Sequence, residues 1–146
     1  MKSRTKARCI ALQVLYECDL TSHMPGDVLT RNLEEADFTP VLQEFVRNIV
    51  VGILPIREHL DQIIAQHAPE WPLDQVAVID RNIIRIALWE FAVEGCTPLK
   101  VAINEAIELA KYYGSDSTPR FVNGVLGSLA ERQLEIRQYF LHLSGS

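Results

Sequence analysis

The side chains that could do chemistry in this 146-residue chain fall mainly into two short segments. The first is the N-terminus, where Lys2, Arg4, Lys6 and Arg8 follow one another at every second position and no acid precedes Glu17. The chain as a whole is acidic, with a net charge of −5. Such a basic tip concentrates phosphate contacts at one end of the molecule. A solvated basic tail is the alternative that the pattern leaves open.

The second segment is a predicted helix that carries glycines on its outer face. Arg120, Phe121 and Asn123 lie on or beside the face that also holds Gly124 and Gly127. Each glycine inside a helix costs about 1 kcal/mol relative to alanine, so this face is suited to leave room for a partner's backbone. A cation, a ring and an amide beside a smooth surface suit an unpaired base. Alternatively, the glycines allow close helix packing and Phe121 is peripheral core.

No pattern of catalytic, cofactor-binding or metal-binding residues is present. The nucleotide-binding glycine motifs, the zinc-protease motif and the hydrolase nucleophile motif are all missing. His59 and His67 are two helical turns apart, too far to share one ion. Cys9, Cys18 and Cys96 are odd in number and widely spaced, which suits a reducing cytoplasm rather than a disulfide framework. The sequence therefore predicts no metal, no cofactor and no enzymatic activity.

Start and stop signals place the second segment within a helix, turn and helix. Thr97 is the predicted N-cap of the first helix, with Pro98 at its first position. Gly114 closes that helix as a residue expected in the left-handed conformation. Thr118 and Pro119 open the next helix with the same cap-then-proline signal.

Helical periodicity also positions the basic tip. The first helix is predicted from near Arg4 to about Thr21, with Leu12 and Tyr16 turned away from its apolar face. An outward tyrosine is typical of a protein contact. Residues 81–93 are apolar nearly all round, as expected for a helix at the centre of a bundle. Its polar side chains Arg85 and Glu90 are expected to reach solvent or a capping partner.

The remaining segments are helical as well, so the predicted fold is all-α, with about seven helices in a single domain. Pro55 should end or kink a long helix. The stretch 68–72 is predicted to be rigid and extended. It is expected to divide an N-terminal sub-bundle (about 4–68) from a C-terminal one (about 72–143). A short helix follows at 73–79. No apolar run reaches the ~18 residues of a membrane span.

Four segments together carry a family resemblance. They are the pattern Arg8-x-x-Ala11-x-Gln13-x-Leu15-Tyr16, then DRNIIRIALWE at 80–90, KVAINEA at 100–106 and FVNGVL at 121–126. In this order they closely resemble the NusB family of bacterial transcription antitermination factors. The clear match covers roughly residues 4–20 and 73–132, whereas residues 23–70 match only in helical pattern.

The resemblance implies two small helical bundles that bind boxA-type single-stranded RNA together with the ribosomal protein that acts as NusE. It implies a place in RNA polymerase antitermination complexes, notably on ribosomal RNA operons. By motif, the implied RNA-binding residues are Lys2, Arg4, Lys6, Arg8, Arg120, Phe121 and Asn123. The implied protein-partner residues are Tyr16, Asp80, Ile83 and Ile84. The tip mixes lysine with arginine and is sparse for the family, so RNA affinity without the partner is expected to be modest.

Two alternatives remain open beside this resemblance. A NusB-like domain also begins some RNA cytosine methyltransferases, although this sequence contains no cofactor-binding domain after it. A helical interaction module without RNA function is the other, in which a homodimer covers the same surface. Substitution in the basic tip distinguishes them, because it should weaken RNA binding and leave self-association intact.

Overall fold

The computed structural model describes residues 1–69 and 75–145, and within these parts the chain is all-α, as predicted. No β-strand occurs in either described part. The helices are α1 (Ser3–Leu20), α2 (Pro25–Ala36), α3 (Pro40–Ile53), α4 (Arg57–His67), α5 (Val78–Leu88), α6 (Leu99–Tyr113), α7 (Thr118–Ala130) and α8 (Gln133–Gly145).

Helix α5 is the centre of the fold, as its apolar circumference predicts. It packs against α1, α3, α4, α6 and α7, and it continues into a π-helical segment, Trp89–Glu94, that packs on α8. Ile83, Ile84 and Leu88 have no exposed surface. Gly95 ends the segment in the left-handed conformation, at φ 76°. One cluster of buried apolar side chains joins all eight helices around this axis.

Some start and stop signals act as predicted, and three do not. Thr118 is not the N-cap of α7 but its first residue, following Ser117, whose side chain makes no cap hydrogen bond. Pro55 lies in a 3-10 turn, Leu54–Ile56, that separates α3 from α4. Thr97 does not cap α6, because its hydroxyl instead donates a hydrogen bond to Glu90 (3.4 Å). Gly114 is extended (φ −88°, ψ −179°) rather than left-handed. It is needed for space, since a Cβ there would lie 2.4 Å from the Thr118 side chain.

Helix α1 is buried on more sides than its sequence suggests. Tyr16 is 39% exposed, as predicted, but Leu12 has no exposed surface. The outward orientation predicted for Leu12 is wrong because α1 packs against α2, α3, α5 and α6 together. Only a narrow face of this helix is left to solvent.

Arg85 and Glu90 do not reach solvent, which was one of the two outcomes predicted for them, because each residue forms a buried ion pair. Arg85 donates to Asp19 (2.6 Å) and to Asp61 (2.6 and 2.8 Å), which ties α5 to α1 and α4. Burial opposes the charge of Asp19, but bonds from Asn82 and Arg85 outweigh it and lower the pKa of that carboxyl. These pairs let a central helix hold charges that would otherwise be costly to bury.

The predicted division into sub-bundles stays a prediction. The boundary stretch 68–72 and the short helix at 73–79 lie partly outside the described residues. Helix α1 belongs to the first predicted half, yet it packs on α5 and α6 of the second. Within the described ranges, no helix is long and apolar enough to cross a membrane.

Candidate nucleic-acid interface

Three of the four cations in the basic tip are exposed on an ordered helix. Lys2 precedes the first turn of α1, while Arg4 and Lys6 lie within it, and all three side chains are exposed. Helical geometry splits them, since Arg4 lies with Arg8 over the ring of Phe45, whereas Lys6 lines a different concavity. The tip therefore presents cations on two sides of one helix rather than along one extended edge.

Arg8 is built into the core rather than presented to solvent. Its side chain is 4% exposed and that of its partner Glu90 is 2% exposed. Nε and Nη2 donate to the carboxylate at distances from 2.7 to 3.0 Å. The expectation that Arg8 contacts phosphate does not fit this burial, because reaching RNA would strip Glu90 of its partner. Arg8 therefore fixes α1 to the segment that follows α5.

Further contacts make the first turns of α1 rigid. Thr5 donates to both oxygens of Glu105 (2.9 and 3.1 Å), and Arg8 Nη1 lies 3.4 Å from the same carboxylate. The guanidinium groups of Arg4 and Arg8 each lie 5.1 Å from the centre of the Phe45 ring. These contacts join α1 to α3 and α6, so the exposed cations sit on a fixed helix and need little ordering on binding.

The glycine-bearing helix α7 begins at a hydrogen-bonded turn. Thr118 accepts from the Ser115 N–H (3.0 Å) and donates to both oxygens of Asp80 (3.2 Å each). Arg120 and Asn123 are exposed.

Two further residues complete the predicted face of α7. Phe121 is half-buried and packs against the core, so the alternative reading of peripheral core describes much of its ring. A Cβ added at Gly127 would meet nothing within 4 Å. Close helix packing therefore does not explain that glycine, and the space above it is open.

The two predicted RNA segments lie toward opposite ends of the bundle. Arg8 meets Glu90 beyond the end of α5, whereas Thr118 meets Asp80 near its start. The helical stretch from Asp80 to Glu90 spans about 15 Å. The structure thus does not join the basic tip and the start of α7 into one compact site. A ligand that touches both must extend along the surface between them.

A groove between α1 and the start of α5 holds the outward tyrosine. Its volume is about 670 Å³, and its lining includes Tyr16, Leu20, Val78 and Ile79. The half-buried and exposed apolar side chains here are typical of a protein contact.

The other predicted partner residues differ from Tyr16 in their exposure. Asp80 is half-buried, and burial raises the pKa of its carboxyl despite the hydrogen bond from Thr118. Ile83 and Ile84 have no exposed surface. Direct partner contact by these two isoleucines stays a prediction that their burial does not favour, because the face of α5 that bears them is enclosed by its neighbouring helices.

Sequence reasoning missed the residues that support the tip, namely Phe45, Glu90 and Glu105. A usable signal was the position of Arg8, which is three residues before Ala11 and seven before Leu15 and so lies beside the apolar face predicted for this helix. Its acid partner, Glu90, is the one carboxylate inside the mainly apolar run 81–93. A buried cation and a buried acid of this kind are expected to find each other.

Metal binding has no support among the described residues. They contain no group of three or more His, Cys, Asp or Glu side chains arranged to hold an ion. His59 instead makes a 2.9 Å hydrogen bond with the Tyr139 hydroxyl.

Comparison with known proteins identifies the fold and its family. The transcription antitermination protein NusB of Roseiflexus sp. (strain RS-1) is 48% identical over 137 residues, covering 92% of this chain and 96% of that protein. NusB of Bacillus pumilus (strain SAFR-032) is 41% identical, covering 88% of this chain and 95% of that protein. The structure of T. maritima NusB superposes with a TM-score of 0.81 at 30% identity, covering 89% of this chain and 92% of that one.

A crystal structure of antitermination factors NusB and NusE in complex with double-stranded RNA is also similar. Its TM-score is 0.79 at 26% identity, and it covers 95% of this chain and 98% of that one. The NusB family pattern itself matches residues 5–131. On these matches, and on the all-helical fold that they share, the chain belongs to the NusB family.

Proposed function

We propose that this chain is a transcription antitermination factor that binds boxA-type single-stranded RNA together with a NusE ribosomal protein. It acts within RNA polymerase antitermination complexes in the cytoplasm, notably on ribosomal RNA operons. The observation that carries the proposal is the basic tip, in which exposed Lys2, Arg4 and Lys6 are held on an otherwise acidic protein by a buried ion pair. The family's antitermination proteins are not enzymes, in agreement with the prediction of a binding protein.

RNA binding is divided between the two ends of the bundle. At the tip, Lys2, Arg4 and Lys6 neutralise backbone phosphates, which supplies affinity without reading sequence. At the start of α7, Arg120 adds a further phosphate contact and the exposed amide of Asn123 hydrogen-bonds a base edge or sugar. Phe121, which is half-buried, contributes the exposed part of its ring as a stacking surface. Arg8 contributes by holding the tip in place rather than by touching RNA.

We propose that the NusE-type partner binds in the groove between α1 and α5. Tyr16 supplies an exposed aromatic anchor there, and aromatic anchors are enriched among residues that dominate protein interfaces. Asp80 lies at the start of α5 beside this groove and is the charged group offered to the partner. Ile83 and Ile84 support the helix from beneath. The two ligands then occupy different surfaces, so both can be bound at once.

Fluorescence anisotropy with a short boxA-like RNA tests this assignment. We expect single-stranded RNA to bind more tightly when the NusE protein is present, and Asn123→Ala to weaken that binding. A matched RNA duplex is the necessary competitor, because the similar NusB–NusE structure holds double-stranded RNA. Equal competition by single and double strands would show shape recognition of a duplex instead, and no binding in either condition would refute the RNA assignment.

A homodimer without RNA function is the second candidate, and exposed apolar side chains on α8 favour it. Leu134 is 77% exposed and Leu141 is 57% exposed. RNA anisotropy with Arg4→Ala and Lys6→Ala variants, together with light scattering of the unsubstituted protein, separates the two candidates. If RNA binding is the function, these substitutions weaken RNA affinity, whereas the homodimer candidate predicts twice the monomer mass and no RNA affinity to lose.

A further inference from the structure

A groove of about 600 Å³ lies between α1 and α6 and is lined by residues of both helices. Lys2 and Thr5 line it beside the basic tip, and Lys111 and Tyr112 line it near the end of α6. A second concavity, of about 320 Å³, shares Met1, Cys9 and Tyr112 with the first and adds Lys6. Tyr112 therefore borders both spaces, and a cation of the tip borders each.

Tyr112 is an exposed ring on a rigid support. Its side chain is 67% exposed, and its ring centre lies 5.3 Å from that of Tyr113 at an interplanar angle of 51°. Tyr113 is held in turn by Gln13 of α1, whose amide donates to the tyrosine hydroxyl at 2.7 Å. Burial raises the pKa of Tyr113 to about 12, so this support stays uncharged at neutral pH.

The charges around the groove leave two lysines available. Glu105 is already bound by Thr5 and Arg8, and Glu108 lies 3.7 Å from Lys111. No ion pair to Lys2 or Lys6 occurs within residues 1–69 and 75–145. Lys2 and Lys6 are therefore not engaged by the carboxylates of this surface. Proteins that bind single-stranded nucleic acid combine exposed aromatic rings, which stack on bases, with nearby cations, which neutralise phosphates.

The position of Tyr112 also fits a strand that connects the two ends of the bundle. It is the penultimate residue of α6, and α7 begins after the short turn 114–117. A strand held at the tip and at Arg120 must cross the intervening surface, about 15 Å along the bundle axis.

We propose that Tyr112 is a further RNA-contact residue, which stacks on a base between the basic tip and the start of α7. The inference rests on the proposed RNA-binding function and extends its site onto α6. RNA is favoured over a protein ligand because the cations lie on this surface, whereas the more apolar groove beside Tyr16 is the one suited to protein. Stacking of this kind contributes about 1–3 kcal/mol per base.

The test compares Tyr112→Ala with Tyr112→Phe, which keeps the stacking ring. A third variant, Leu141→Ala, removes an apolar side chain of similar exposure (57%) from the opposite region of the chain, α8. The RNA is a boxA-like single strand long enough to span both ends, measured by anisotropy with NusE present. Tyr112→Ala should weaken binding by about 5- to 150-fold. Tyr112→Phe and Leu141→Ala should bind within about threefold of the unsubstituted protein.

The outcomes distinguish a failure of this inference from a failure of the proposed RNA-binding function. If the unsubstituted protein binds and Tyr112→Ala binds equally well, the stacking role is wrong while the RNA function stands. If the unsubstituted protein does not bind, both fail. Equal losses in Tyr112→Ala and Tyr112→Phe would assign the effect to the hydroxyl and overturn stacking. Weaker binding of NusE to Tyr112→Ala without RNA would make the surface a protein contact and also overturn it.

Photo-crosslinking supplies a second readout that does not depend on affinity. Single-stranded RNA carrying 5-iodouridine should crosslink to the peptide that contains Tyr112, and the tip variant Lys2→Ala with Lys6→Ala should reduce that crosslink. A crosslink confined to α7 peptides would contradict a path along α6. Circular dichroism of each variant verifies that the helical fold is intact.

Discussion

Replacing Arg8 should destabilise the fold far more than replacing any other cation of the basic tip. Arg8→Met retains most of the apolar stem but removes the guanidinium, which leaves the carboxylate of Glu90 buried at 2% exposure. Removing one partner of a buried pair costs about 3–5 kcal/mol. Domains of this kind have a total stability of about 5–15 kcal/mol, so the loss is a large part of the whole. Lys6→Met, on the same helix but exposed, should change stability by less than about 0.5 kcal/mol.

Urea unfolding followed by circular dichroism measures this difference. With a slope of about 1–3 kcal/mol per M, Arg8→Met should lower the unfolding midpoint by more than about 1 M. Replacing both partners, as Arg8→Met with Glu90→Leu, should recover much of the loss, because an apolar pair of similar volume leaves no unpaired charge. Equal midpoints for Arg8→Met and Lys6→Met would refute the reasoning and return Arg8 to the set of surface cations that contact RNA.

Three further predictions concern two glycines and one half-buried acid. Gly52→Ala should destabilise by about 1–3 kcal/mol, because its Cβ would lie 2.5 Å from the ring of Trp89; thermal unfolding measures this, and an unchanged midpoint would contradict it. Gly127→Ala should instead raise the free energy of unfolding by about 0.5–1 kcal/mol, since nothing lies within 4 Å of the new Cβ. A lower free energy of unfolding in urea would contradict this and would indicate a steric clash at the new Cβ. Asp80→Asn should raise the thermal midpoint at neutral pH, because burial raises the pKa of Asp80 and so disfavours its ionised form in the folded state. The same substitution should weaken NusE binding in calorimetry, because it removes the charged group proposed to meet the partner. That stability gain is present above the folded-state pKa and should disappear as pH falls below the unfolded value; a gain that is independent of pH would refute the charge argument.

The sequence predicts the fold class and the central helix well because both depend on periodicity. The run 81–93 is apolar on nearly every side, and a helix with this pattern is expected to be enclosed by its neighbours. The start of α3 shows a local signal that acts by itself: Thr39 precedes Pro40, the first residue of α3, and accepts a hydrogen bond from the Leu42 N–H. Local signals of this kind can be interpreted without knowing which helices pack against each other.

Predictions that depended on tertiary packing were less successful. Leu12 lies outside the main apolar face of α1, and only the presence of four neighbouring helices buries it. Arg8 and Glu90 are far apart in sequence, so a periodicity argument cannot show that they meet. The same holds for Tyr112, whose position beside Lys2 and Lys6 depends on how α6 lies against α1. Charge pattern located the tip, while the fold decided which of its cations remain exposed.

Salt dependence of RNA binding tests the central claim most directly. The measurement compares the unsubstituted protein with the Lys2→Ala, Arg4→Ala, Lys6→Ala triple variant, each with NusE and a boxA-like single strand, at several salt concentrations. A single strand releases counterions with a slope of about −0.7 per phosphate contact. Loss of three contacts should therefore make the slope shallower by about 2 and weaken binding at low salt. A triple variant with the same affinity and the same slope would contradict the assignment of the basic tip to RNA.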